Sequence, residues 1–280
     1  MSKKDFRVVV LYSGSGGNSV FVRAGKTAVL IDAGKSARAL CKALDRVGES
    51  IDDIDAIFVT HEHKDHVSAL EQISKNKNIP IHITSVSAQI FDRCPDAQIS
   101  SNLQRHDVRF EVEVGDLRVT SFRTPHDSKM SVGYRLSFLE GDKAFRLGLA
   151  TDIGYVSEEI RENLLGCDAV IIEANHDVDM LMTGRYPIPL KQRVVSKWGH
   201  LSNADCAEFA AELAQNGTRA FMLAHLSKEN NEPQLAYNEV KRALSGTEAT
   251  VLVACPDDPV EFVMEEDAYA EREIYNSWNA

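Results

Sequence analysis

The segment Thr60-His61-Glu62-His63-Lys64-Asp65-His66 contains three histidines and an aspartate and directly follows a short apolar run. Residues two apart in extended backbone point the same way, so His61 and His63 can approach one metal ion from one side. Asp65 and His66 come where the following helix is predicted to begin, so they turn away and can address a second ion. The spacing therefore predicts a binuclear metal site.

The types of these side chains limit the choice of metal. Imidazole and carboxylate ligands without thiolates suit zinc, manganese or iron, rather than a structural zinc site built from cysteines. The five cysteines are scattered and form no Cys-x-x-Cys pair, which argues against a thiolate site and against a disulfide framework. We therefore expect two divalent ions, zinc or manganese with iron as a further option, and reduced cysteines in a cytoplasmic protein.

Two metal ions need more ligands than four side chains, and three further positions come at the ends of predicted strands or apolar runs. They are His126 in Thr124-Pro125-His126-Asp127, Asp152 in Ala150-Thr151-Asp152, and His225 in Leu223-Ala224-His225. A lone histidine or aspartate at a strand end is more often a capping or hydrogen-bonded structural residue. The histidine-rich segment makes the ligand interpretation the favoured one for all three.

Short strands and helices alternate around these residues. The first third predicts strands at 7–12, 20–23, 28–32, 56–60 and 81–84, with helices at 36–47 and 67–75. A meander at 109–151 follows, with turns at Gly115-Asp116 and Gly141-Asp142. Helices at 157–165, 203–215 and 234–244 then alternate with strands at 169–173, 220–224 and 250–254. We expect an α/β fold with two mixed β-sheets flanked by helices, in a single domain over residues 1–280.

Composition and charge exclude several classes of protein. With 44% hydrophobic and 26% charged residues the chain is typical of a globular domain, not of a low-complexity one. No apolar run approaches the roughly 18 residues of a membrane span, so we expect no membrane association and no secretory signal. The net charge of -11 disfavours a generic electrostatic clamp on DNA.

Charge is nevertheless unevenly distributed along the chain. Residues 180–204 contain no acid and carry Arg185, Lys191, Arg193 and Lys197. A basic patch there would attract a nucleic-acid backbone, and a solvated helix face is the alternative. Acidic residues concentrate at 261–273, where we expect an exposed C-terminal tail.

The order of a strand, H-x-H-x-D-H, P-H-D, T-D and A-H, running from Ser13 to about Asn231, resembles the metallo-β-lactamase-fold hydrolase superfamily. That resemblance implies a four-layer αβ/βα sandwich with its metals at one edge between the sheets. The resemblance assigns His61, His63 and His126 to one metal, and Asp65, His66 and His225 to the other. It assigns Asp152 as the bridge between the two metals. It further implies a metal-bridging hydroxide as the nucleophile. Asp32 matches the superfamily's early Asp-x-Gly, whose aspartate orients the metal loop, and a turn aspartate is the alternative.

Finer phrases are similar to the WalJ/YycJ-type branch of that superfamily, a branch of DNA exonucleases. The phrases are Ser13-Gly14-Ser15-Gly16-Gly17-Asn18-Ser19, Glu173-Ala174-Asn175-His176-Asp177, Gly199-His200-Leu201-Ser202 and the segment 224–231. The resemblance implies DNA as the substrate and digestion from 5' to 3'. In the glycine-rich phrase, backbone N–H groups facing a phosphate and a purely steric role for glycine are both open.

Phosphodiester hydrolysis is the chemistry that such a site favours. The leaving group needs a proton, and His200 and His176 are our candidates for a general acid or a phosphate contact, with structural roles as the alternative. Asp65 is placed with them among the catalytic residues, whereas His82 and His106 are expected to be ordinary histidines. The alternatives in function are a small-molecule cyclic phosphodiesterase, a thioester or lactam hydrolase on the same fold, and a non-catalytic binding module stabilised by metal.

Overall fold

Runs of Val, Ile and Leu form the strands, and the side chains of Ser36, Ser157, Asp177 and Ser202 cap four of the described helices. The computed structural model describes residues 6–94, 97–140, 143–264 and 269–272. Its strands are β1 (Phe6–Tyr12), β2 (Ser19–Ala24), β3 (Thr27–Ile31), β4 (Ala56–Phe58), β5 (Ile81–Thr84), β6 (Leu103–His106), β7 (Glu111–Val114), β8 (Leu117–Arg123), β9 (Val132–Glu140), β10 (Lys143–Ala150), β11 (Ala169–Glu173), β12 (Ala220–Ala224), β13 (Thr250–Val253), β14 (Val260–Met264) and β15 (Tyr269–Arg272). Its α-helices are α1 (Ala37–Arg46), α2 (Lys64–Val67), α3 (Leu70–Asn76), α4 (Ala97–Asn102), α5 (Glu158–Leu164), α6 (Val178–Thr183), α7 (Ile188–Val194), α8 (Asn203–Gln215) and α9 (Pro233–Ala243).

Contacts within the chain define two compact units. The first unit is drawn from Met1–Val119, Ser128–Ser131 and Cys255–Ala280, and the second from Thr120–Asp127 and Val132–Ala254. The expectation of one domain over residues 1–280 stays a prediction. Within the described ranges, no helix has the length and apolarity that crossing a bilayer requires.

The sheet of the first unit has the order β15-β14-β1-β2-β3-β4-β5-β6. Strands β3 to β6 pair in parallel, while β14, β1, β2 and β3 pair antiparallel. Leu40, Leu44, Leu70 and Ile73 of α1 and α3 pack with the sheet in one buried cluster. Because parallel strands end at the same edge, Asp32 after β3 and the histidine segment after β4 come to that edge together.

The sheet of the second unit has the order β13-β12-β11-β10-β9-β8, with β7 as its next strand. Strands β10 to β13 pair in parallel and β9 pairs antiparallel with β10. Helices α5, α8 and α9 contribute to its buried apolar cluster. The carboxyl ends of β10, β11 and β12 carry Asp152, Glu173 and His225, so this sheet also collects polar side chains at one edge.

Most predicted elements are confirmed. The strands at 81–84, 169–173 and 220–224 and the helix at 203–215 have the predicted bounds. Ser36 caps α1 by accepting a hydrogen bond from the backbone N–H of Ala39 at 3.3 Å. The turn at Gly115-Asp116 is present between β7 and β8, whereas the turn predicted at Gly141-Asp142 lies outside the described residues.

Two segments differ from prediction. The helix expected at 67–75 is divided into α2 and α3, and α2 begins at Lys64, so Asp65 and His66 lie inside its single turn. The exposed tail expected at 261–273 is wrong where the structure describes it. There, β14 pairs antiparallel with β1, and Glu261 is only 2% exposed. Its buried carboxylate accepts a hydrogen bond from Arg7 Nε at 2.7 Å. Only one acid, Glu261, lies among the apolar residues of 260–264, so this part of the segment is a strand that the charge count over 261–273 obscures.

Candidate metal centre

The first unit brings its four predicted ligands together on the loop after β4 and on α2. His61 Nε2 lies 2.9 Å from His63 Nδ1, and the rings of His61 and His66 are 4.1 Å apart between centroids. Asp65 Oδ2 lies 3.5 Å from His66 Nε2. Two nitrogen ligands of a tetrahedral zinc ion are about 3.3 Å apart, given bonds of ~2.0–2.1 Å. The spacing of the His61 and His63 nitrogens therefore fits a shared ion.

Asp32 holds the loop that carries these histidines through hydrogen bonds to both of its carboxylate oxygens. Its Oδ1 accepts the backbone N–H of Thr60 at 2.8 Å, and its Oδ2 accepts Thr60 Oγ1–H at 2.8 Å and His66 Nδ1–H at 2.8 Å. A carboxylate only accepts, so His66 carries its hydrogen on Nδ1 and keeps Nε2 as a ligand atom. The orienting role implied for Asp32 is the one that the geometry supports, rather than that of a turn aspartate.

The glycine-rich turn before β2 supports Asp65. The N–H of Asn18 donates to the Asp65 carbonyl at 2.8 Å, and Asn18 Nδ2 lies 3.2 Å from Asp65 Oδ2. The N–H groups of Gly14 and Gly17 bond to Asn18 Oδ1 and to the Gly14 carbonyl at 2.8 and 2.9 Å. These three N–H groups are used within the protein, and the turn supports the ligand loop through Asn18.

The second unit brings together His126, Asp152, His200 and His225. Ligand atoms of Asp152, Glu173, His200 and His225 all lie within 4.8 Å of one another. Asp152 Oδ1 lies 3.4 Å from His225 Nε2 and 3.8 Å from His126 Nε2. One carboxylate oxygen thus stands between two imidazole nitrogens, and the donor set of nitrogen and oxygen fits zinc, manganese or iron.

Glu173, in the phrase Glu173-Ala174-Asn175-His176-Asp177, has no role predicted from the sequence. It ends β11 and is fully buried, and its Oε1 accepts His200 Nδ1–H at 2.7 Å and His225 Nδ1–H at 3.0 Å. Its Oε2 accepts the N–H of Ile153 at 2.7 Å. An acid closing a five-residue apolar strand was the available signal, because a buried carboxylate needs partners.

Both imidazoles therefore carry a hydrogen on Nδ1 and direct Nε2 away from Glu173. Burial by itself raises the pKa of Glu173, but His200 and His225 lower it more, so its pKa lies below the ordinary value and it is ionised. Burial lowers the pKa of His200, and the Glu173 carboxylate outweighs burial, so the net pKa of His200 is raised. His126 is held in the same tautomer, since its Nδ1 faces the Gly199 carbonyl at 3.3 Å.

His176 is buried, 2% exposed, and its pKa is lowered by burial. Its backbone carbonyl accepts the N–H of Asn203 at 2.9 Å at the start of α8. Within the part of the chain that the structure describes, no metal-type cluster contains His176. Its role as a general acid stays a prediction.

Three of the candidate residues have left-handed backbone although none is glycine. The φ angles are 63° at Asp32, 55° at Asp152 and 58° at His225. This conformation costs about 1–2 kcal/mol for an ordinary residue. Each of the three follows a buried parallel strand within two residues, so the sharp change in direction aims a side chain across the edge of its sheet.

The acid-free segment at 180–204 forms the end of α6, α7 and the loop before α8. Arg185 and Lys197 are exposed, whereas Arg193 Nε bonds to Asp127 Oδ2 at 2.6 Å. Lys191 Nζ donates to the Met182 carbonyl at 2.6 Å. Part of the predicted basic patch is therefore engaged in internal contacts.

Comparison with known proteins agrees with this geometry. Residues 27–226, more than half of the chain, match the family described as "Beta-lactamase superfamily domain". "Exodeoxyribonuclease WalJ" of Streptococcus pneumoniae is 36% identical over 241 residues, covering 85% of this chain and 87% of that protein. "Exodeoxyribonuclease YycJ" of Bacillus anthracis is 34% identical over 241 residues, covering 84% and 88%.

Among solved structures, the metallo-β-lactamase fold protein YhfI of Bacillus subtilis superimposes with a TM-score of 0.67 at 17% identity, covering 92% of this chain and 100% of that one. At this identity the likeness shows the fold alone, and it confirms the predicted fold class. The chain thus belongs to the metallo-β-lactamase superfamily, within the branch of the WalJ and YycJ proteins, as a metal-dependent hydrolase.

Proposed function

We propose that the chain is a metal-dependent phosphodiesterase that degrades DNA from an end. The observation that carries this proposal is Asp152, whose Oδ1 lies 3.4 Å from His225 Nε2 and 3.8 Å from His126 Nε2. A carboxylate oxygen close to two imidazole nitrogens is placed to serve as a shared ligand of the ions that those imidazoles would hold. The names of the WalJ and YycJ relatives, both exodeoxyribonucleases, support DNA as the substrate.

The proposed metal ligands follow the family assignment. His61, His63 and His126 would hold one ion, Asp65, His66 and His225 the other, and Asp152 would be shared. Two such cations, when bound, bring the pKa of a water towards neutrality and offset charge on a phosphoryl oxygen. We expect zinc or manganese, with iron as an option, because all donors are imidazole or carboxylate.

The chain's own residues would then handle the leaving group. His200 is fixed by its Nδ1–H bond to Glu173, and its side chain is 24% exposed. A proton on Nε2 can therefore pass to the departing oxygen, while Glu173 stabilises the charged imidazole. His176 remains the second proposed donor. Digestion from 5' to 3' is part of this proposal and rests on the resemblance to the exonuclease branch.

The test is degradation of duplex DNA labelled at the 5' or at the 3' end by protein loaded with manganese or zinc. We expect stepwise, metal-dependent loss of one label and its absence in Asp65→Ala and His63→Ala proteins. Asp53→Ala, which removes an exposed carboxylate outside the cluster, is the matched control and should retain activity.

A preparation that holds two ions per chain but cleaves no nucleic acid would overturn the proposal. If that preparation turned over bis(p-nitrophenyl) phosphate and small cyclic esters, the substrate would be a small phosphodiester. Hydrolysis confined to thioesters or lactams would instead favour the third alternative.

A further inference from the structure

Large exposed side chains lie on the loop before α5 and in the segment from α6 to α8. Trp198 is 53% exposed and Tyr155 is 44% exposed, and Met182 and Ile188 are exposed nearby in the sequence. Exposed apolar side chains that are grouped, rather than scattered, mark binding surfaces. Aromatic rings that are exposed yet held on ordered backbone are suited to stacking on flat ligands.

The loop that carries Trp198 is held firmly. The Trp198 carbonyl accepts the N–H of Asp127 at 3.1 Å, and its N–H donates to Ser196 Oγ at 3.3 Å. The N–H of His200 donates to the Val194 carbonyl at 2.9 Å. Trp198 is thus only two residues from His200, on backbone that also contacts the segment carrying His126.

Tyr155 is held on a neighbouring loop. The N–H of Gly154 donates to the Pro125 carbonyl at 2.9 Å, and Gly154 packs so closely on the backbone of Lys197 that a Cβ there would collide with it. Tyr155 and Trp198 therefore flank one backbone contact, each one residue from it. Asp152 lies three residues before Tyr155, so both rings leave the same backbone that positions proposed ligands.

The charge around this pair favours one kind of ligand. Residues 180–204 contain no acid, and Arg185 and Lys197 are exposed. Single-stranded nucleic acid is bound by cationic side chains that follow its backbone together with aromatic side chains on which its bases stack. A protein partner would explain the apolar rings, but it would not explain the exposed cation Lys197 beside Trp198 in a segment without acids.

We propose that Trp198 and Tyr155, which we call the stacking pair, bind unpaired bases at the end of a DNA strand. The inference rests on the proposed function and deepens it, because it makes single-stranded or frayed ends the preferred substrate. Trp198 and Tyr155 are positioning residues in this scheme, since they hold the strand and not the reacting phosphate.

Intrinsic fluorescence tests whether bases stack on Trp198, and the measurement needs no cleavage of DNA. The chain has two tryptophans, so a Trp278→Phe variant leaves Trp198 as the sole tryptophan, and Asp65→Ala prevents hydrolysis. We expect an oligothymidylate to quench the fluorescence saturably, and an oligonucleotide with abasic terminal residues to bind about fivefold or more weakly, as loss of a stacked base implies. Equal quenching and equal affinity with the two oligonucleotides would contradict the proposal that the stacking pair binds unpaired bases. The absence of quenching by both oligonucleotides would contradict it as well.

Kinetics give a second readout. With single-stranded DNA, Trp198→Ala should raise KM about fivefold or more with a smaller change in kcat, and Trp198→Phe should restore most of the affinity. Val86→Ala, at an exposed apolar residue of the first unit, is the control. If the wild-type protein cleaves DNA and Trp198→Ala has the same KM, the proposed base stacking is contradicted and the proposed function is not. A concentration-dependent shift of Trp198 emission without DNA would instead assign the surface to a second copy of the chain.

Discussion

Oε1 of Glu173 accepts hydrogen bonds from Nδ1 of His200 at 2.7 Å and from Nδ1 of His225 at 3.0 Å. One carboxylate oxygen therefore fixes the tautomers of a proposed proton donor and of a proposed metal ligand together. Since a metal-bound histidine depends on the group that holds its other nitrogen, Glu173 links the two functions although it is assigned to neither.

Replacing Glu173 with glutamine tests this link. The two Nδ1–H groups share Oε1 and the backbone N–H of Ile153 bonds to Oε2, so the NH2 group of a glutamine faces a donor at whichever position it takes. Either both imidazoles lose their acceptor or the backbone at Ile153 must move away, so the orientation of the imidazoles is disturbed. We expect Glu173→Gln to lower metal affinity by about 10–100-fold and activity at least as much. Metal content after dialysis against a graded chelator measures the affinity.

Glu208→Gln, an exposed change on α8, is the control for Glu173→Gln, and circular dichroism should show both proteins folded. Retention of wild-type metal affinity and activity by Glu173→Gln would contradict the role assigned to Glu173.

Asp32 offers a parallel test in the first unit. Asparagine tolerates the left-handed backbone that Asp32 adopts at φ 63°, so Asp32→Asn should fold. The amide is a weaker acceptor for His66 Nδ1–H than the carboxylate is. We therefore expect the metal affinity of Asp32→Asn to be about tenfold lower than that of the wild type. Asp32→Val should be much less stable, because a β-branched residue at positive φ is strained.

Chemical denaturation at neutral pH would separate the two Asp32 variants. If Asp32→Asn kept full metal affinity, the carboxylate would be a backbone support only, through Thr60.

The proposed ligands could be selected from the sequence because their signals are local. His61, His63, Asp65 and His66 lie within six residues, and Asp152 and His225 each follow a recognisable strand. The supporting residues depend on distant contacts, since Glu173 is 27 residues from His200 and 52 from His225. The periodicity of a sequence does not predict contacts between residues that are so far apart along the chain.

The same distinction holds for the fold. Helix α8 and strands β11 and β12 have the predicted bounds because each is one uninterrupted periodic run with a clear start. Helix α7, which is short and contains Pro189, was predicted only as the alternative of a solvated helix face in 180–204. Strand β14 was not predicted, because its partner β1 is distant in sequence. Pairing partners this far apart become visible only in three dimensions.

Gly34 makes a prediction about close packing. A Cβ at Gly34 would collide with the carbonyl oxygen of Asp65, whereas a Cβ at Gly16 meets nothing within 4 Å. We expect Gly34→Ala to displace the ligand loop, to lower the free energy of unfolding by about 1–3 kcal/mol and to weaken metal binding. Gly16→Ala, in the neighbouring turn, should leave both quantities within experimental error.

Urea denaturation of the metal-free proteins, followed by metal titration, compares these two variants. Equal effects of Gly34→Ala and Gly16→Ala would show that the loop accommodates the methyl group and that the close approach is not needed.

His82 and His106 form a pair that the proposed function does not use. His82 Nδ1 lies 2.9 Å from His106 Nε2, and His82 stacks on Phe58 at 4.7 Å between ring centroids. Burial, and then the neighbouring His106, lowers the pKa of His82 to about 4. Below pH ~6.5 the unfolded chain binds a proton at His82 that the folded chain excludes until about pH 4, so the folded state loses stability across that interval as the pH falls.

One such group contributes at most ~1.4 kcal/mol of stability lost per pH unit. We therefore expect the unfolding free energy of the metal-free protein to fall between pH 6.5 and 4, and to fall less steeply in His82→Phe, which keeps the ring but has no titrating nitrogen. Urea denaturation at four pH values in this interval, with a chelator present, gives both slopes. Because all other histidines are common to both proteins, identical slopes would show that His82 titrates alike in the folded and the unfolded chain.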